Sequence, residues 1–194
     1  MKAVQEKPRT AFYIFRRLFM PVTNINIRQA LPADVDAIVS LGQKTFVETY
    51  GDTNDKQTVA AYVDKMFNHE KISAELITFG ERFFIAYVGD LPVGFTKLSE
   101  NKKPKGLNGK KKIQLERIYV LKEYQGFKIG TELIEKVLEV VKEEDYKIVW
   151  LSVWQKNNKA IQFYQSAGFV IYDTDVFQFG NEVHDDFLMK KEIW

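Results

Sequence analysis

Cysteine is absent from the 194 residues, which removes disulfides, thiolate metal sites and a cysteine nucleophile from consideration. Histidine is almost absent: His69 and His184 are too few to build a histidine zinc site, so no metal is expected. An excess of charge is missing too. Basic residues number 28 and acidic residues 26, for a net charge of +2, so no global field draws the chain to nucleic acid or a lipid surface. No apolar run approaches the roughly 20 residues that span a bilayer. The chain therefore reads as soluble and cytoplasmic, and its chemistry must rest on Glu, Asp, Tyr, Lys and the backbone.

What is present suits one core, with 45% apolar and 14% aromatic residues. Residues 1–22 read as an N-terminal extension to a domain at 23–194. Their apolar stretch, Ala11 to Phe15, is cut short by Arg16 and Arg17, too soon for a signal-peptide core. An untidy tail, a start upstream of Met20 and a mitochondrial-type presequence all fit this segment.

From Ile25 a short alternating strand leads into a helix carrying Val35, Ile38, Val39, Leu41 and Phe46 at helical spacing, with Pro32 near its first turn. Two further helical patterns follow, the first expected to be capped by Thr53 or Asn54, and together they could wall or cover a site. Alternating runs around Gly89-Asp90 predict a hairpin. A lysine-rich loop, "NKKPKGLNGKKK", comes next, either solvated or touching an anionic ligand.

The strand "IQLERIYV" changes phase. Ile113 and Leu115 share one parity and Ile118 and Val120 the other, so either one extra residue near Glu116 or Arg117 forms a β-bulge, or the strand is buried on both faces. After it, "QGFKIGTELIEKVLEVV" passes through a glycine-containing turn into an amphipathic helix with Ile129, Leu133, Val137 and Val141 at four-residue spacing. Strand, tight turn and helix N-terminus together can present unpaired N–H groups to a phosphate. Alternatively, Gly126 only makes the turn and Gly130 only lets the helix pack closely. A buried-looking strand "YKIVWLSVW" and a short helix with Asn157 as its cap and Gly168 as its stop complete the pattern.

In this order, Gln125-x-x-Lys128-x-Gly130 and Asn157-x-x-Ala160-x-x-x-Tyr164 resemble the two central motifs of the GCN5-related N-acetyltransferase (GNAT) superfamily. "LERIYV", "WLSVWQKNNKAIQFYQSAGF" and "HDDFLMKKEI" are further similar to the PaiA-type branch of spermidine/spermine N-acetyltransferases. The resemblance implies an α/β GNAT fold: a mixed, mostly antiparallel central sheet, helices on both faces, and a splay between the strands at 113–120 and 148–154. It implies acetyl-CoA as cosubstrate, with pantetheine along Ile118, Tyr119 and Val120 and pyrophosphate on Gln125, Gly126, Phe127, Lys128, Ile129, Gly130 and Thr131. Asn157, Ala160 and Tyr164 would add contacts.

Lys128 departs from the pattern, standing where the family usually has glycine. A positive φ there would strain lysine, whereas a helical φ would tolerate it; lysine keeps its N–H and adds a charge attractive to phosphate. The resemblance also implies Glu116 as base, acting through water, Tyr164 as the acid that protonates the departing thiolate, and Val120 N–H as an oxyanion donor. A salt-bridged Glu116 and a core Tyr164 are the plain alternatives. The acceptor is expected to be a small primary amine such as a polyamine, with Glu48, Asp52, Asp55, Asp175, Asp185 and Asp186 available to hold a second ammonium. Protein amino-group acetylation, and a non-turning-over acyl-CoA regulator, are the other readings. A homodimer is compatible with the sequence, which does not fix the oligomeric state.

Overall fold

A computed structural model describes residues 24–194, so the expected extension at 1–22 and its boundary fall outside the described residues. Seven strands form one sheet in the order β1-β2-β3-β4-β5-β7-β6. They are β1 (Ile25–Gln29), β2 (Glu81–Val88), β3 (Leu91–Ser99), β4 (Lys112–Val120), β5 (Ile148–Trp154), β6 (Val170–Phe179) and β7 (Glu182–Glu192). All neighbours are antiparallel except β4 and β5.

Helices α1 (Val35–Tyr50), α2 (Lys56–Met66) and α3 (His69–Ile77) lie between β1 and β2 in the chain, α4 (Ile129–Glu143) follows β4, and α5 (Asn158–Ser166) follows β5. Alternation along β2 explains why both faces need covering. Phe83 and Ile85 join Ile38, Phe46, Phe67 and Ile72 of α1–α3 and the loop after α2, while Phe84 joins Ile134, Val137, Val141 and Ile161 of α4 and α5.

Caps set the helix entries. Asp55, not Thr53 or Asn54, caps α2 by accepting from the Thr58 N–H at 2.8 Å. The Thr53 and Asn54 side chains turn to the end of α1 instead: Thr53 Oγ1 and Asn54 Nδ2 both donate to the Tyr50 carbonyl, at 3.4 and 3.0 Å. Pro32–Asp34 forms a 3-10 turn ahead of α1. The hairpin forms as expected, with Val88 opposite Leu91 and Gly89 at φ 60°.

Two features of β4 open the sheet. Lys97 pairs with Arg117 but Leu98 pairs with Leu115, leaving Glu116 as the extra residue of a β-bulge, which accounts for the phase change. On its other side β4 pairs with β5 only over Lys112–Gln114 against Ile148–Trp150; the rest of β5 continues to pair with β7 alone. Beyond residue 114 the two parallel strands part.

Candidate active site

A cavity of about 780 Å³ occupies this opening. At one end, Gln125, Gly126, Lys128, Ile129, Gly130 and Thr131 line it from the turn into α4. The first α4 hydrogen bond closing on Lys128 is the Glu132 N–H to its carbonyl at 3.0 Å. The N–H groups of residues 129–131 therefore have no partner within the helix, and no side chain caps that end. Gly126 takes φ +86° and a Cβ there would meet nothing within 4 Å, so the turn borders open space. Backbone donors, a helix N-terminus and the ammonium groups of Lys128 and Lys159 are a donor set that fits a pyrophosphate.

The backbone of this turn decides how Lys128 and Phe127 sit. Lys128 sits at φ 64°, ψ 3°, not in helical conformation. A left-handed residue carrying a Cβ costs roughly 1–2 kcal/mol, so the lysine bears strain that glycine would avoid. The Phe127 side chain does not line the cavity; it is half-buried against the core that holds Ile129 and Leu133, so only its backbone stands in the turn. Gly130 serves packing as well: a Cβ there would approach the Phe163 ring at 3.3 Å.

Asn157 and Ala160 reach the cavity from the start of α5, where the Asn157 side chain accepts from the Ala160 N–H at 3.1 Å. Tyr164, one turn on, also lines it, and burial pushes its hydroxyl well above the usual tyrosine range, so it holds its proton. Ile118, Tyr119 and Val120 form the β4 wall. Leu121 N–H donates to Val93 of β3 at 2.9 Å. By ladder alternation the Val120 N–H then faces away from β3, into the gap toward β5, while the Val120 carbonyl accepts from Gln125 Nε2 at 3.1 Å.

Glu116, on the bulge, lies 3.0 Å from Lys97 Nζ and 3.4 Å from Arg117. Lys97 is only 3% exposed and also pairs with Glu75 and Glu81, at 3.2 and 2.9 Å. Burial would raise the Glu75 carboxyl, but Arg117 and Lys97 outweigh it and hold Glu75 below its ordinary range. Among the described residues, the ion-pair partners of Glu116 are thus the buried β3 lysine and Arg117, not a lysine of the lysine-rich loop. In that loop, exposed Lys102 and Lys103 line the cavity.

The other end is aromatic. Tyr50 and Tyr62 from α1 and α2, Trp154 from β5, and Phe177, Phe179 and His184 from the β6–β7 hairpin surround it. Trp154 stacks on His184 with centroids 4.8 Å apart, and Tyr62 meets Phe179 at 5.2 Å. Of the six acidic candidates, Asp186 alone lines the cavity. Glu48 accepts from the Lys122 N–H, Asp55 caps α2, and Asp175 accepts from the Val176 N–H. Three buried atoms of cavity-lining residues, Gln114 Oε1, Glu116 Oε2 and Trp150 Nε1, have no hydrogen-bond partner among the described residues, Glu116 Oε2 being ion-paired with Lys97. Sequence reasoning missed Ser152, Trp154 and His184. Their signal was the period of two: Trp150, Ser152 and Trp154 share one face of β5, as His184 and Asp186 share one of β7.

A family profile described as Acetyltransferase (GNAT) family matches residues 43–169, across the bulge, the turn and the α5 motif. The chain belongs to the GNAT acetyltransferase family. An uncharacterized N-acetyltransferase of Lactobacillus delbrueckii subsp. lactis, from the pepI 3' region, is 30% identical over 178 residues, covering 89% of this chain and 99% of that one. The spermidine N(1)-acetyltransferase of Thermoplasma acidophilum is 22% identical over 87% of this chain and 98% of its own. In fold, the chain is similar to the PaiA N-acetyltransferase of T. acidophilum solved with coenzyme A, at a TM-score of 0.74 and 23% identity, covering 88% of this chain and all of that one. The family's activity is acetyl-CoA-dependent N-acetyl transfer, and the protein is a GNAT N-acetyltransferase. Among the described residues there is no group that could hold a metal ion and no helix long and apolar enough to cross a membrane.

Proposed function

We propose that this GNAT enzyme acetylates a primary amine of a small polycation of the spermidine or spermine type, in the cytoplasm, with Glu116 and Tyr164 on opposite sides of the acetyl group. One observation carries the reading: the bulge carboxylate on β4 and the buried α5 hydroxyl line the same cavity, beside an open turn suited to phosphate. The similarity to a spermidine N(1)-acetyltransferase supports the choice of acceptor.

An amine of pKa near 10 is about 99.9% protonated at pH 7 and must lose a proton before it attacks. Glu116, oriented by Lys97 and Arg117, receives that proton through water. The Val120 N–H, facing the gap, donates to the carbonyl oxygen as charge builds on it. Tyr164, kept protonated by burial, supplies a proton to the departing sulfur. Acetyl-CoA brings the thioester; its phosphates are held by the N–H groups of 126–131 with Lys128 and Lys159, and its pantetheine runs beside Ile118–Val120.

The test is thiol release from acetyl-CoA across spermidine, spermine, putrescine, amino acids and peptides. Release with polyamines well above the other amines is expected. Release confined to peptide amino groups would redirect the assignment to protein acetylation, and none with any amine would leave an acyl-CoA-binding regulator.

A further inference from the structure

We infer that Asp186 is the specificity-determining residue of the acceptor end: it docks the ammonium that does not react, while the amino group to be acetylated lies near Glu116. The inference rests on the N-acetyltransferase reading of the cavity.

Asp186 is 8% exposed, yet among the described residues no lysine, arginine or histidine forms an ion pair with it; its neighbour His184 pairs instead with Glu182 at 3.1 Å. A buried carboxylate without a cation is costly, which a cationic ligand remedies. Ser152 Oγ donates to Asp186 Oδ2 at 2.6 Å, fixing the carboxylate and leaving Oδ1 as an acceptor. Burial raises the Asp186 carboxyl above its ordinary range, a cost that a docked cation would reverse.

The surroundings suit a cation on an aliphatic chain. Trp154, opposite Asp186 in the β5–β7 register, stacks on His184 and has Lys156 Nζ 5.7 Å from its ring centre, so the pair offers aromatic edges and one remaining His184 face to cover methylenes. Tyr62 lines the same cavity as both carboxylates and senses both. Burial raises its hydroxyl first of all, and the charges of Glu116 and Asp186 both add to that, with Arg117 opposing. Gln114 Oε1, buried and unpartnered among the described residues, is a second acceptor on the Glu116 side. Lys102 and Lys103 are exposed, so solvent screens their repulsion of a bound cation.

The experiment compares putrescine with n-pentylamine, which replaces the distal amino group by a methyl, in steady-state thiol release at saturating acetyl-CoA. Wild-type kcat/KM should favour putrescine by about tenfold or more, mainly through KM, as expected for a charged hydrogen bond. Asp186→Asn should reduce that ratio by about tenfold, Ser152→Ala by a smaller factor in the same direction, and Asp186→Glu should retain much of it. CoA-induced thermal stabilisation verifies that each variant is folded; should Asp186→Asn not fold, the Ser152→Ala and Asp186→Glu ratios decide. An unchanged ratio in the folded variants overturns the inference. Equal wild-type use of the two amines, or turnover of peptide amines only, also overturns it while N-acetyl transfer stands. Absence of thiol release with every amine removes both.

Discussion

The two ends of the cavity are built differently. The turn end uses consecutive residues: three α4 N–H groups without helical partners, Gly126 at φ +86°, and Lys128 beside them. The acceptor end has no such local unit. Tyr62, Trp154, His184 and Asp186 come from α2, β5 and β7: pairing of β5 with β7 sets Trp154 opposite Asp186, and the splay between β4 and β5 opens the space they line. A site of backbone donors should tolerate side-chain change such as lysine at 128, whereas a site assembled from distant side chains should set which acceptor fits.

Substitutions can break this contrast at the reacting centre between the ends. Glu116→Gln keeps shape and removes the base, so kcat/KM at neutral pH should fall by roughly 10²–10⁴-fold. The loss should shrink as pH rises toward 10, because the free-amine fraction grows with pH. Tyr164→Phe should cost less, about tenfold, because a thiolate whose parent thiol has a pKa around 8.5 leaves tolerably without an acid. That loss should not recover with pH. A pH-rate profile of both variants measures the difference; parallel profiles would argue against separate roles for the two residues.

The smallest expected effect sharpens the view of the turn. Lys128→Gly relieves a left-handed lysine, so urea unfolding should show a gain of about 1 kcal/mol, part of the relief being lost to the greater freedom of glycine when unfolded. The same variant should bind CoA more weakly at low salt and less so at high salt, since only the ammonium is removed. Destabilisation by Lys128→Gly would show that the lysine side chain, not its backbone, matters to the fold.

The contrast also explains what was legible in the sequence. The bulge could be read because a change of parity between Leu115 and Ile118 has only two remedies, and the register shows the extra residue at Glu116. Asn157 and Gly168 could be read because cap and stop act within a few residues. The conformation of Lys128 could not, since a helical and a left-handed φ both keep its N–H available. Thr53 and Asn54 carry cap chemistry, but their side chains turn to the Tyr50 carbonyl at the end of α1. Selecting Asp186 from six acidic residues required tertiary structure. Its neighbour Asp185 has the same chemistry and opposite parity on β7, and only the sheet decides which of them meets Ser152.

The most direct test of the division between the ends is amide hydrogen exchange with and without CoA, followed residue by residue. The account predicts exchange slowed by about tenfold or more at the amides of 126–131, with those of 182–186 little changed. Thermal stabilisation by CoA with no protection anywhere in 126–131 would contradict it.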